Sequence, residues 1–122
     1  STEEAAVSAQ VLIVDDEALI RQSLQTMLAR EGFAVSAAPS LRAAQEHLRD
    51  NTPDVILLDL VLEDGEGLDL LRGLRDRARE TKVVVISAHG SIESAVAAMK
   101  LGAYDFIRKP FELEEILTAV RK

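Results

Sequence analysis

Five times along this chain a short aliphatic run is followed by a longer stretch with helical spacing, and that alternation restricts the fold more than any other feature. The runs are Val11-Leu12-Ile13-Val14, Phe33-Ala34-Val35, Val55-Ile56-Leu57-Leu58, Val83-Val84-Val85-Ile86 and Tyr104-Asp105-Phe106-Ile107. The first, third and fourth are continuously apolar and rich in β-branched residues, as strands covered on both faces must be. The second and fifth are mixed, which places them nearer the sheet edges. Between the runs, Ile20, Leu24, Met27 and Leu28 mark one helix, with Gly32 beyond its end. Ser40 caps a second, carrying Leu41, Ala44 and Leu48 and stopped by Asn51 and Pro53. Leu70, Leu71 and Leu74 mark a third after Gly67. Ser91 opens a fourth, with Ile92, Ala95, Val96 and Met99 expected inward and Gly102 past its end. Leu113, Ile116, Leu117 and Val120 form a fifth, just after Pro110. Five strand–helix pairs predict an α/β fold: a doubly wound, mostly parallel sheet with helices on both faces. In such a sheet ligands bind at the carboxyl ends of the strands, near a topological switch point.

Charge narrows the partners. With 14 Lys+Arg against 21 Asp+Glu, the net charge of −7 opposes direct binding to nucleic acid, whose phosphates are read through Lys and Arg. The chain has no Cys, which excludes a disulfide, a thiolate zinc site and a cysteine nucleophile. His47 reads as a surface residue, and neither it nor His89 has a companion at zinc-ligand spacing. The aliphatic runs are too short to span a bilayer, and Ser1-Thr2-Glu3-Glu4 does not resemble a secretory signal. The expectation is a cytoplasmic single domain over 10–122, with no membrane contact, behind a loose leader over 1–9. The charged stretch Arg72 to Lys82 is expected to be a solvated helix end and loop.

The strand ends carry the chemistry. Asp15 and Asp16, followed by Glu17, close the first run; Asp59 closes the third; Ser87 closes the fourth; Lys109 follows the fifth, immediately before Pro110. Each has an ordinary structural use: acids at a helix start favour the dipole, serine caps a turn, and a lone lysine is usually solvated. Their joint placement argues for more. A third strand beside the first would bring Asp59 to Asp15 and Asp16, and adjacent carboxylates need a hard cation such as Mg²⁺ or another positive charge. A carboxylate nucleophile, a metal, an ammonium and a hydroxyl together make a phosphoryl-transfer set.

At this point the sequence resembles the receiver domain of two-component response regulators, from about Gln10 to Lys122. The blocks that carry the resemblance are Leu12-Ile13-Val14-Asp15-Asp16-Glu17, Asp54-Val55-Ile56-Leu57-Leu58-Asp59, Ile86-Ser87-Ala88-His89-Gly90 and Gly102-Ala103-Tyr104-Asp105-Phe106-Ile107-Arg108-Lys109-Pro110-Phe111. The resemblance implies a flavodoxin-like (βα)5 fold with five parallel strands in the order 2-1-3-4-5. It implies that Asp59 accepts a phosphoryl group from a sensor histidine kinase. It further implies that Asp15, Asp16, Asp59 and the Val61 backbone carbonyl hold Mg²⁺, with no organic cofactor. Ser87 and Lys109 would bind phosphoryl oxygens, the Lys109–Pro110 peptide would be cis, and Ser87 with Phe106 would form the switch pair. The face of the fourth helix, fifth strand and fifth helix would then govern a phosphorylation-dependent homodimer or an output domain. Such a domain is a regulatory phosphoacceptor rather than an enzyme acting on a separate substrate. The His-Gly-Ser and Lys-Leu-Gly-Ala-Tyr-Asp-Phe runs are most similar to receivers of bacterial enhancer-binding transcriptional activators, which implies a C-terminal ATPase or DNA-binding output domain.

One departure stands out. Glu63 takes the position, four residues after Asp59, where many members carry proline. Val61 and His89, two residues beyond Asp59 and Ser87, occupy positions that tune dephosphorylation in the family. Three other readings compete with this one. An aspartate-nucleophile phosphatase would need an acid at position 61, where Val61 stands. A flavin or nucleotide carrier would need a glycine-rich phosphate loop where Asp15-Asp16-Glu17 stands. A receiver-like interaction module that is never phosphorylated would not need the acids and Lys109.

Overall fold

The computed structural model describes residues 8–74, 81–88 and 91–122. Residues 1–7 of the expected leader, residues 75–80 of the charged stretch, and His89 lie outside the described residues. Five parallel strands form one sheet: β1 (Gln10–Val14), β2 (Ala34–Ala38), β3 (Val55–Asp59), β4 (Lys82–Ser87) and β5 (Asp105–Arg108). Their order is β2-β1-β3-β4-β5, as the resemblance implied. Alternating with them are α1 (Ala18–Arg30), α2 (Leu41–Asp50), α3 (Gly67–Leu74), α4 (Ile92–Lys100) and α5 (Leu113–Arg121). The chain winds outward from β1 to β2, then returns to the other side of β1 to lay down β3. That reversal opens a crevice at the carboxyl ends of β1 and β3.

Strand alternation divides the core in two. Leu12, Val14, Ile56, Leu58, Val83 and Val85 point to one face, where Ala44, Leu70, Leu71 and Ala98 from α2, α3 and α4 cover them. Val11, Ile13, Val55, Leu57, Val84 and Ile86 point to the other, under Leu24 and Leu28 of α1 and Ile116 and Leu117 of α5. Each such side chain contributes about 1.5–3 kcal/mol by leaving water. A helix on either face of the three central strands is thus required by their unbroken apolar runs.

The structure departs from the sequence expectation at α4 and at Lys82. On α4 the stripe Ile92, Val96 and Met99 faces solvent, with Ile92 85% exposed. The buried residue is Ala98, because a small side chain lets the helix lie close to the sheet. Lys82 is not in a solvated loop but opens β4, where its Nζ donates to the Val120 carbonyl at 2.9 Å and stands 4.8 Å from the Tyr104 ring centroid.

The segment after Asp59 holds an element that periodicity did not announce. Val61–Leu62 and Gly65–Glu66 pair antiparallel in a small hairpin, turning at Glu63 and Asp64. Gly67 then begins α3 with its amide donating to the Leu60 carbonyl at 2.8 Å. A Cβ at this position would overlap the Asp59 carbonyl oxygen and lie 2.9 Å from Leu60 Cα, so only glycine fits.

Candidate functional site

The crevice at the switch point is lined by acids because Asp59 ends β3 and Asp15 directly follows β1. Asp15 directly follows β1 and is fully buried. Its position is fixed from three sides: its amide donates to the Ala38 carbonyl at 3.2 Å, the Arg21 guanidinium donates to its carbonyl at 2.8 Å, and its Oδ1 accepts from the Glu17 amide at 2.9 Å. Asp59 is the last residue of β3 and is 4% exposed. Its Oδ1 accepts from the Val61 amide at 3.2 Å.

Lys109 joins the two strands. Its Nζ donates to Asp15 Oδ2 at 2.8 Å, Glu17 Oε1 at 2.9 Å and Asp59 Oδ2 at 3.0 Å. The lysine side chain is 6% exposed, so the ammonium is almost wholly taken up by carboxylates. Its main-chain position follows from β5, since the Lys109 amide donates to the Ser87 carbonyl at 3.0 Å. The Lys109–Pro110 peptide bond is cis. Burial disfavours the Lys109 ammonium, but the hydrogen bonds to Asp15, Glu17 and Asp59 outweigh it and hold its pKa above the ordinary lysine value. Burial pushes the Asp15 carboxyl up; hydrogen bonds from Lys109 and Glu17 act against that, while the Asp59 charge adds to it.

A carboxylate oxygen from each of Asp15, Glu17 and Asp59 lies within 4.8 Å of the others. Three carboxylates against one ammonium leave two negative charges, 3 − 1 = 2, on hard oxygen donors. That donor set fits a hard divalent cation such as Mg²⁺ and would not suit a soft one. Glu17, noted in the sequence but given no role, belongs to this cluster. Asp16 is half-buried and is not one of the three. The signal for Glu17 was the run of three successive acids; which two face the crevice depends on the turn after β1.

Ser87 is fully buried at the end of β4, with its β5 partner at Arg108 in the sheet register. Phe106 is half-buried on β5 opposite Val85 and packs against the core under α2, α3 and α4. Val61 is 50% exposed beside Asp59. The sequence-derived residues Asp15, Asp59, Ser87 and Lys109 therefore all stand at the same edge of one sheet. Among the described residues, no buried side-chain nitrogen or oxygen lacks a hydrogen-bond partner. No helix of the described residues is long and apolar enough to cross a membrane.

Comparison with known proteins agrees with this geometry. The family described as "Response regulator receiver domain" matches residues 11–121. The transcriptional regulatory protein FixJ of Rhizobium meliloti is 43% identical over 112 residues, covering 92% of this chain and 55% of FixJ. The response regulator protein PilR of Pseudomonas aeruginosa is 40% identical over 116 residues, 92% of this chain and 26% of PilR. The regulatory protein AtoC of Escherichia coli is 35% identical over 93% of this chain, which spans 24% of AtoC. The chain thus spans about a quarter to a half of these three relatives. Among solved structures, the beryllofluoride-activated NtrC4 receiver domain dimer superposes with a TM-score of 0.87 at 38% identity, covering 92% of this chain and 93% of that one. A response regulator from Burkholderia pseudomallei with a phosphorylated aspartic acid and a calcium ion gives 0.88 at 31% identity, covering 93% and 66%.

Proposed function

The chain belongs to the response-regulator receiver family, and on that premise we propose that it is a phosphorylation-driven signalling switch whose acceptor is Asp59. One observation carries the reading: a nearly buried carboxylate at the switch point, clamped by Lys109 at 3.0 Å and facing a second buried carboxylate, Asp15. An Asp59 oxygen forms a new O–P bond as the N–P bond to a kinase imidazole breaks, and the electron pair returns to the imidazole nitrogen. Asp15, Asp16, Asp59 and the Val61 carbonyl, with Glu17 beside them, would hold Mg²⁺, which would supply charge neutralisation for the phosphoryl oxygens. Lys109 shares that task, and the Ser87 hydroxyl donates to one of the oxygens.

Phosphorylation adds about −1.5 to −2 charge and strong acceptors at this edge. Ser87 moves towards them and Phe106 turns into the space released, which biases an existing equilibrium rather than creating a new fold. The readout face is α4, β5 and α5. Its support is the apolar stripe of Ile92, Val96 and Met99 with Tyr104, all at least 46% exposed. A second copy of the chain covers that stripe in the phosphorylated state. The unit over 10–122 works in the cytoplasm with a sensor histidine kinase, joined to an ATPase or DNA-binding output domain and without touching DNA itself.

The test is intact mass after incubation with acetyl phosphate, with and without Mg²⁺, for the wild type and Asp59→Asn. One Mg²⁺-dependent phosphoryl adduct in the wild type and none in the variant is the expected result. No adduct on the folded wild type, or an adduct that survives Asp59→Asn, overturns the assignment.

A further inference from the structure

The hairpin after Asp59 is hydrogen-bonded to the start of a distant helix through the side chain of Asp64. Asp64, at its turn, accepts from the Leu41 amide with Oδ1 at 2.8 Å and from the Arg42 amide with Oδ2 at 3.0 Å. Those are the first two residues of α2, more than twenty positions earlier. Ser40 caps the same helix locally, its hydroxyl oxygen accepting from the Ala43 amide at 3.0 Å. The helix start is therefore capped in two parts, by Ser40 from its own segment and by Asp64 from across the crevice. Without Asp64 the Leu41 and Arg42 amides lose the partners they have in the fold.

Leu41 also packs its side chain beside Gly65, but the hairpin has little internal structure to hold its tip. Its strands are two residues each, too short to be stable alone. Leu62 is buried and anchors the inner end, whereas Val61, Glu63, Asp64 and Glu66 are exposed. Yet the inner end supplies the Val61 amide, which with Lys109 holds the Asp59 carboxylate. Mechanical continuity runs from the start of α2, through Asp64 and the hairpin, to Val61 and the Asp59 oxygens.

We propose that Asp64 is a positioning residue for the metal site: by clamping the hairpin to the start of α2 it holds the Val61 amide, and through it the Asp59 carboxylate, in the orientation that binds Mg²⁺. The inference rests on the reading of the crevice as a Mg²⁺ site. Asp64 touches neither the metal nor the phosphoryl group, so it acts only through the Val61 amide and the Asp59 carboxylate.

Mg²⁺ binding is measured directly by calorimetric titration for the wild type, Asp64→Ala, Asp64→Asn and Glu63→Gln, with amide exchange at Leu41 and Arg42 followed in parallel. Asp64→Ala weakens Mg²⁺ binding about three- to five-fold, the scale set by losing one hydrogen-bonded tie, and exposes both amides to exchange. Asp64→Asn, which keeps one acceptor oxygen, falls between, and serves in its place if the alanine variant does not fold. Glu63→Gln removes a neighbouring charge without touching the clamp and leaves the affinity near that of the wild type. Unchanged Mg²⁺ affinity in folded Asp64 variants overturns the proposal, as does an equal loss in Glu63→Gln, which would assign the effect to loop charge. A wild type that binds Mg²⁺ but takes no phosphoryl group overturns the Asp59 assignment instead and leaves the clamp standing.

Discussion

Replacing Lys109 with methionine, which keeps the length of the side chain and removes its charge, tests how the crevice tolerates its acids. The ammonium is the partner of three carboxylates whose oxygens lie within 4.8 Å of one another. At an effective dielectric constant of about 20, two unit charges at that distance repel by about 3.5 kcal/mol. Glu17 is 56% exposed, so water screens most of its share. Asp15 and Asp59 are not exposed enough for that, and removing one partner from a buried charge pair costs about 3–5 kcal/mol. Taking the lower end, Lys109→Met loses about 3 kcal/mol near neutral pH without divalent ions, or roughly 10 °C in Tm for a domain of this size. Two further dependences identify the cause. Lys109 has a raised pKa, so its contribution is fully present below pH 10.5 and is lost only above its folded value; the wild type shows no loss from this group around neutrality. Asp15 has a raised pKa as well, so the fold favours its protonated form, and acidification through that range relieves the variant. Millimolar Mg²⁺ stabilises the variant more than the wild type, because the ion replaces the missing positive charge. Urea and thermal denaturation of both proteins, across pH and with or without Mg²⁺, give the comparison. A loss independent of pH and Mg²⁺ would mean that the lysine matters for packing alone, and equal stability would refute the charge argument outright.

Two other substitutions probe the scaffold and the readout face. Gly67→Ala forces the Asp59–Leu60 backbone to move, since its Cβ would overlap the Asp59 carbonyl oxygen; we expect a loss of about 2 kcal/mol in urea denaturation together with slower phosphoryl uptake, and wild-type values for both would contradict the close approach. Val96→Glu places a charge in the exposed stripe of α4, where the side chain is 46% exposed; stability changes by less than about 0.5 kcal/mol, while sedimentation of the phosphorylated protein shifts from dimer to monomer. A phosphorylated Val96→Glu protein that still dimerises would remove this face from the switch.

The sheet was legible because three of its strands are buried on both faces, which requires unbroken runs such as Val83 to Ile86. Site placement was legible for the same reason: a polar residue that ends such a run stands at the strand end, and Asp15, Asp59 and Ser87 all do. Periodicity could not say what covers an apolar stripe. Ile92, Val96 and Met99 have the spacing of a core face, yet the side of α4 that meets the sheet is the one carrying Ala98, and the larger residues are left outside. The hairpin was hidden because Leu62-Glu63-Asp64-Gly65-Glu66 is too short and too polar for a strand pattern, and the contacts that hold it, Leu62 in the core and the Asp64 bonds to α2, are made with distant segments. Glu17 was passed over because its place depends on the turn that Asp15 makes with the Glu17 amide, a local hydrogen bond that sequence spacing does not reveal.

The central claim is that the buried carboxylate of Asp59 is the phosphoryl acceptor, and trapping the acyl phosphate tests it most directly. Borohydride reduces an aspartyl phosphate to homoserine, so protein treated with acetyl phosphate and Mg²⁺, reduced and digested, reports the modified residue by peptide mass spectrometry. The account predicts homoserine at position 59 alone, dependent on Mg²⁺. Homoserine at position 15 or 16 instead, or reduction products spread over several acids, would contradict it.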